Sequence, residues 1–156
     1  MNNSLTKLLG SYIVRIAGIL DLLSSLFQLG LRLYIANVFF NAGLTKIRDF
    51  SSTVALFENE YMVPLLAPAQ AAAVGAAAEL TLPLLLVLGV ASRPAAAALF
   101  IFNLVAAVSY PDISDSGVKD HVLWGLMLLV TVFYGPGRAS VDHFFKKRFV
   151  HQNLQF

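Results

Sequence analysis

Residues 69–91 read AQAAAVGAAAELTLPLLLVLGVA, an apolar stretch of 23 residues from Ala69 to Ala91 with one carboxylate, Glu79, near its middle. At a rise of about 1.5 Å per residue, a helix of that length crosses a hydrocarbon core of roughly 30 Å. An ionisable side chain at such a depth costs at least about 2.5 kcal/mol on insertion scales, so it faces protein or a cavity rather than lipid. The rest of the chain is read outward from this residue, as the packing that makes it tolerable.

Composition agrees with a membrane span. The 156 residues are 58% apolar and only 13% charged, about half the charged share of a soluble domain. The net charge of +2 comes from basic residues at the ends of apolar runs, a pattern of membrane orientation and not of nucleic-acid binding. There is no cysteine, which excludes disulfides, CxxC chemistry and thiolate metal sites within this chain. The N-terminal stretch is broken by Arg15 and Asp21 and reads as retained, not as a signal peptide.

Taken in order, Leu8 to Leu29 carries a polar stripe, Lys7, Ser11, Arg15, Gly18, Asp21, Ser25 and Gln28, at steps of three or four. That spacing predicts an amphipathic helix lying in the membrane interface, and Gly30 is expected to bend it into span one, Leu31 to Ile47. Arg32 reads as an anchor snorkelling to the headgroups. A polar and aromatic connection follows from Phe50 to Pro68, with Ser51 or Ser52 capping a short helix. Span two is the opening stretch, with small-xxx-small pairs Ala71-Gly75 and Ala72-Ala76 for close helix contact. Ser92 is expected to cap span three, which runs to Tyr110, and span four covers Asp120 to Tyr134. Gly135-Pro136-Gly137 stops it before a short tail helix with Ser140 as cap.

The expected fold is therefore all-α: a transmembrane four-helix bundle with an N-terminal amphipathic helix. Its segments are 1–28 (amphipathic helix), 29–149 (four-span domain) and 150–156 (tail). Placing the termini and the Arg93 turn on one side gathers 8 of the 11 basic residues, so the positive-inside rule puts both termini in the cytoplasm.

Several residues could carry chemistry. Glu79 is either a ligand-binding or proton-carrying carboxylate, or interhelical glue bonded to an amide or a lysine. Pro83 cannot donate to the Glu79 carbonyl, which frees an acceptor on that turn. Asn37 and Asn103 fall at similar depth and suggest a shared polar centre, with Tyr110 on the Asn103 face; the alternative is that the amides satisfy one another. Lys46, Asp120, His121 and Trp124 lie toward the other surface, with His121 and Trp124 on one face. His121 could exchange protons with a ligand, whereas Asp120 and Trp124 also suit a helix cap and an aromatic belt. His121 is the only histidine close to a span, and one histidine without cysteine makes a weak metal case, since a site needs several convergent ligands; no nucleotide, hydrolase or metalloprotease motif is present.

Three sets of residues resemble the DoxX family of small four-span membrane proteins. They are Arg32 with Phe39-x-x-x-Gly43-x-x-Lys46; Glu79 with Leu88-Gly89 and Arg93; and His121-x-x-Trp124-Gly125 with Gly135-Pro136-Gly137-x-x-Ser140-x-Asp142. The resemblance implies a bacterial inner-membrane protein, some relatives of which are the membrane subunit of a thiosulfate:quinone oxidoreductase and others linked to oxidative or metal stress. The expectation is a redox-associated subunit, with a periplasmic or membrane redox partner. It would bind a quinone or similar hydrophobic ligand among Glu79, Asn103, Asn37, Lys46, His121, Trp124 and Tyr110. A small exporter and a non-catalytic scaffold stay open as alternatives, and no self-contained catalytic set or resident cofactor is expected in the chain.

Overall fold

Six helices follow one another in a computed structural model that describes residues 3–153, with side chains described over residues 9–148. They are α1 (Asn3–Arg48), α2 (Phe50–Asn59), α3 (Pro68–Leu88), α4 (Ser92–Ser109), α5 (Asp115–Tyr134) and α6 (Val141–Asn153). Four of them, α1, α3, α4 and α5, are long and apolar enough to cross a membrane. They form the expected transmembrane bundle: α1 packs chiefly on α3, α4 on α5, and the α3–α4 and α1–α5 contacts close the ring. Ile35, Phe39, Leu86, Ala95, Ala96, Leu99 and Leu128 fill its centre. The residues at 154–156, within the tail segment expected at 150–156, lie outside the described residues.

The helix ends differ from the sequence expectations in instructive ways. No bend occurs at Gly30: α1 runs unbroken for 46 residues. Glycine in a helix interior costs only about 1 kcal/mol, and Gly30 has open space around it, so nothing forces a turn. The amphipathic stretch is thus the first half of α1 and not a separate helix. Asp49, not Ser51 or Ser52, caps α2: its carboxylate accepts from Ser52 N at 3.0 Å and from both serine hydroxyls. Those bonds, from Ser52 above all, hold its pKa at about 2. The last span begins at Asp115 instead of Asp120, because Ser114 accepts from Gly117 N and starts the helix earlier.

At the α3–α4 turn, Gly89 takes the left-handed conformation that ends α3, and Ala91 is left-handed as well. Ser92 does not cap α4. The cap comes from the tail, where Asp142 accepts from Ala91 N, Ser92 N and Ser92 Oγ, each at 2.8 Å.

Arg32 is also not a snorkelling anchor. It is fully buried and turns inward, donating to the carbonyls of Leu86 at 2.8 Å and Ala139 at 2.6 Å. A Cβ on Gly89 would stand 2.5 Å from Ser140 Cβ and 2.9 Å from an Arg32 guanidinium nitrogen. Arg32, Gly89 and Asp142 therefore form one junction tying α1, the α3–α4 turn and the tail together. Below it, Ser25 Oγ accepts from Arg138 N at 2.8 Å, and Asp21 pairs with the Arg138 side chain at 3.2 Å. Part of the polar stripe on α1 is therefore spent on the tail.

Candidate functional site

At the opposite end of the bundle the helices diverge around a cavity of about 420 Å³. Its polar edge is built where α1 and α3 touch. A Cβ on Gly43 would stand 3.0 Å from Glu79 Cβ and 2.9 Å from the Leu80 side chain, so only glycine lets the two backbones come this close. One helical turn beyond Gly43, Lys46 lies on the same face of α1 and reaches Glu79. Its Nζ donates to Glu79 Oε1 at 2.8 Å and stands 2.7 Å from Oε2. The ammonium therefore stands against both carboxylate oxygens, hydrogen-bonded to Oε1 and in ionic contact with Oε2. Glu79 is 5% exposed. Burying two charges is favourable only when they are paired, and Lys46 supplies the pairing that the sequence required of some neighbour.

The aromatic walls come from every surrounding element. Phe39 of α1 meets Phe102 and Trp124 edge to face, with ring centroids 6.2 and 6.0 Å apart. Phe57, Tyr61 and Tyr110 stack in series at 4.7 and 5.1 Å, in the offset range that favours ring pairs. Met62 N donates to the Ser109 carbonyl at 2.7 Å, which pins the connection after α2 across the end of α4. The Tyr61 phenol is raised above its ordinary pKa by burial and by the Glu79 charge. Tyr110 is raised by its hydrogen bond and charge interaction with Glu60. Both phenols keep their protons at neutral pH.

His121 enters from α5. Its Nδ1 lies 2.8 Å from Asn103 Oδ1, and Asn103 Nδ2 donates to the His121 carbonyl, also at 2.8 Å. Gly125 makes the room: a Cβ there would stand 3.4 Å from Asn103 Nδ2 and 3.3 Å from the Phe100 ring. Trp124 sits edge to face against the imidazole at 5.0 Å.

Of the residues named from sequence, Glu79, Lys46, His121, Trp124 and Tyr110 all border this cavity. Asn103 stands behind it, 1% exposed and bonded to His121. Asn37 is not brought to it: it faces outward on α1 and accepts from Asn41 Nδ2 at 3.0 Å. The two asparagines therefore share no polar centre. Depth along a helix does not fix which way a residue faces, and α1 turns Ile35, Ala36 and Phe39 inward instead. Sequence reasoning missed Tyr61, Phe57, Phe102 and Ser109. Phe57 sits on the buried side of α2, and the aromatic pair Phe57 and Tyr61, four residues apart, was the available signal. Nothing in the sequence set Ser109 apart. Among the described residues no group of three or more His, Asp or Glu side chains is placed to hold a metal.

A model of the DoxX family matches residues 27–111. No curated protein and no solved structure matches the chain.

Proposed function

The chain belongs to the DoxX family, and from that premise we propose that it binds a quinone or similar small hydrophobic carrier in the cavity around Glu79. In this reading it is a redox-associated subunit of a bacterial inner membrane. The observation that carries the reading is the cavity itself, a space of about 420 Å³ walled by aromatic rings with a buried ion pair at its edge. Sites for small ligands are concave and mostly apolar, with a few placed polar groups. A flat ring would lie against the wall formed by Phe39, Phe102 and Trp124, and its oxygens would meet Lys46, Glu79 and His121.

In this reading the chain supplies no catalytic set of its own, and electrons would be exchanged with a periplasmic or membrane partner. The basic residues clustered at the tail side support cytoplasmic termini, and in this reading the cavity lies toward the outer face. Protein purified in mild detergent is expected to retain a quinone. Glu79→Gln is expected to lower quinone binding about tenfold through loss of a charge-assisted contact. Unchanged binding in that variant would tell against the proposal.

The Lys46–Glu79 pair also suits a second reading, a scaffold in which the pair only joins α1 to α3. Under that reading Glu79→Gln lowers stability and leaves partner function intact at matched expression. The exporter alternative requires solute flux in liposomes that Glu79→Ala abolishes.

A further inference from the structure

A second space, of about 590 Å³, opens at the end of the bundle tied by Arg32, Gly89 and Asp142, between α1, the start of α4, the Gly135–Gly137 segment and α6. It differs from the aromatic cavity in kind, because its lining is charged. Two carboxylates border it, and both are committed elsewhere. Asp21 pairs with Arg138 at 3.2 Å, and Asp142 accepts from Ala91 N and Ser92 N and feels the Arg32 charge. Two further cations line the space, Arg93 and Lys146, and among the described residues neither has a carboxylate within ion-pair distance.

The fold sets both cations at its edge. Arg93 lies across Gly135, where a Cβ would stand 3.4 Å from its Nε, and its Nη2 donates to the Phe133 carbonyl at 3.2 Å. That bond uses one of the five guanidinium N–H donors. Lys146 lies one turn beyond Asp142 on α6. Asp142 fixes that helix to the α3–α4 turn through its carboxylate and through its N–H, which donates to the Gly89 carbonyl at 2.8 Å. A guanidinium and an ammonium bordering one concave space, with no carboxylate left to answer them, suit an anion with several acceptor oxygens, as a phosphate has.

The position of the space says where such a phosphate comes from. Ser25 and Gln28 line it about 6–10 Å past Arg32 along α1, the level of the lipid headgroups when the bundle spans the hydrocarbon core. On its rim Pro94 begins a stripe of α4 that continues through Ile101 and Val108, 62% and 78% exposed. We propose that this space seats the phosphate of an anionic phospholipid, held by Arg93 and Lys146, with its acyl chains along that stripe. Basic recesses between helix ends select such headgroups by charge. Because Arg93 belongs to α4 and Lys146 to α6, a seated headgroup also ties the tail to the bundle.

Binding is read by native mass spectrometry of the full chain, delipidated in neutral detergent and titrated with dioleoylphosphatidylglycerol or dioleoylphosphatidylcholine. The anionic lipid is expected to bind at least about tenfold tighter, and equal affinities overturn the proposal. Arg93→Gln with Lys146→Gln is expected to weaken the anionic lipid about thirtyfold, the product of about fivefold for each basic residue. Lys147→Gln with Arg148→Gln, outside the space, is expected to change it less than about twofold; equal losses in the two double variants mean diffuse attraction and overturn the proposal.

Lys146 is exposed, so Lys146→Gln alone, with an expected loss of about fivefold, carries the test should the Arg93 variant fail to fold; unchanged affinity overturns the proposal. Glycerol 3-phosphate offers the phosphate without the chains. It is expected to displace the lipid only at about a hundredfold higher concentration. Displacement at equal concentration assigns the site to a soluble phosphate compound and overturns the lipid proposal.

Discussion

Lys46 and Glu79 stand 33 positions apart in the chain and meet at 2.7 Å, and their partnership is the most exposed to test at the scale of single residues. Truncating one member strands the other in a buried site, whereas removing both together removes the burden with the bond. Lys46→Met and Glu79→Met are each expected to lower unfolding stability by about 3 kcal/mol. The double variant is expected to recover most of that loss, measured as a thermal double-mutant cycle in detergent. Asp142 makes a different prediction. Partial burial acts to raise its pKa, but hydrogen bonds from Ser92 and Ala91 and the Arg32 charge outweigh this and hold it below the usual carboxylate value. A folded-state pKa below the unfolded one means the contribution is complete above about pH 4 and is lost as pH falls through the folded value. Melting temperature is therefore expected to drop on acidification in the wild type, with a flatter profile in Asp142→Asn. Glu79 was legible as a residue needing a partner because of its depth. Which cation would answer it was not, since a lysine near a span end reads equally well as an anchor.

At the scale of elements, α1 departs furthest from expectation. Its 46 residues extend about 69 Å, and the junction at Arg32 marks where the bundle ends and its N-terminal half begins to protrude. Leu9, Ile16, Leu20, Leu23 and Phe27 are each more than half exposed there, on the side away from Ser25, which packs on the tail. A membrane interface would cover that apolar side. The chain has no cysteine, so single cysteines can be introduced for spin labelling in lipid nanodiscs. Labels at Ile16, Leu20 and Leu23 are expected to be accessible to oxygen and shielded from a water-soluble nickel chelate, with the reverse at Ser11 and Gly18. Equal exposure at both sets would show that the apolar side is not covered by lipid. The polar stripe was legible from spacing alone. The missing bend at Gly30 was not, because glycine permits a turn without imposing one and only a competing contact would have selected it.

At the scale of the molecule, four apolar helices close a ring that is locked at one end by Arg32, Gly89 and Asp142 and opens at the other into the aromatic cavity. With four crossings and the basic residues gathered at the locked end, reporters fused to the two termini are expected to give signals on the same, cytoplasmic side; signals on opposite sides would refute that topology. The sequence by itself determined the class of structure and the number of long apolar helices, because hydrophobic length is a property of consecutive residues and needs no knowledge of neighbours. It also determined that Glu79 must be shielded, for the same reason of depth. Only the tertiary structure decided who shields it, that Asn37 faces away while Asn103 orients His121, and that a tail aspartate caps a helix fifty residues earlier. Those outcomes depend on which faces of packed helices meet, and on glycines at 43, 89 and 125 whose absent side chains admit a neighbour. A linear pattern records periodicity but not the rotation of each helix against the next.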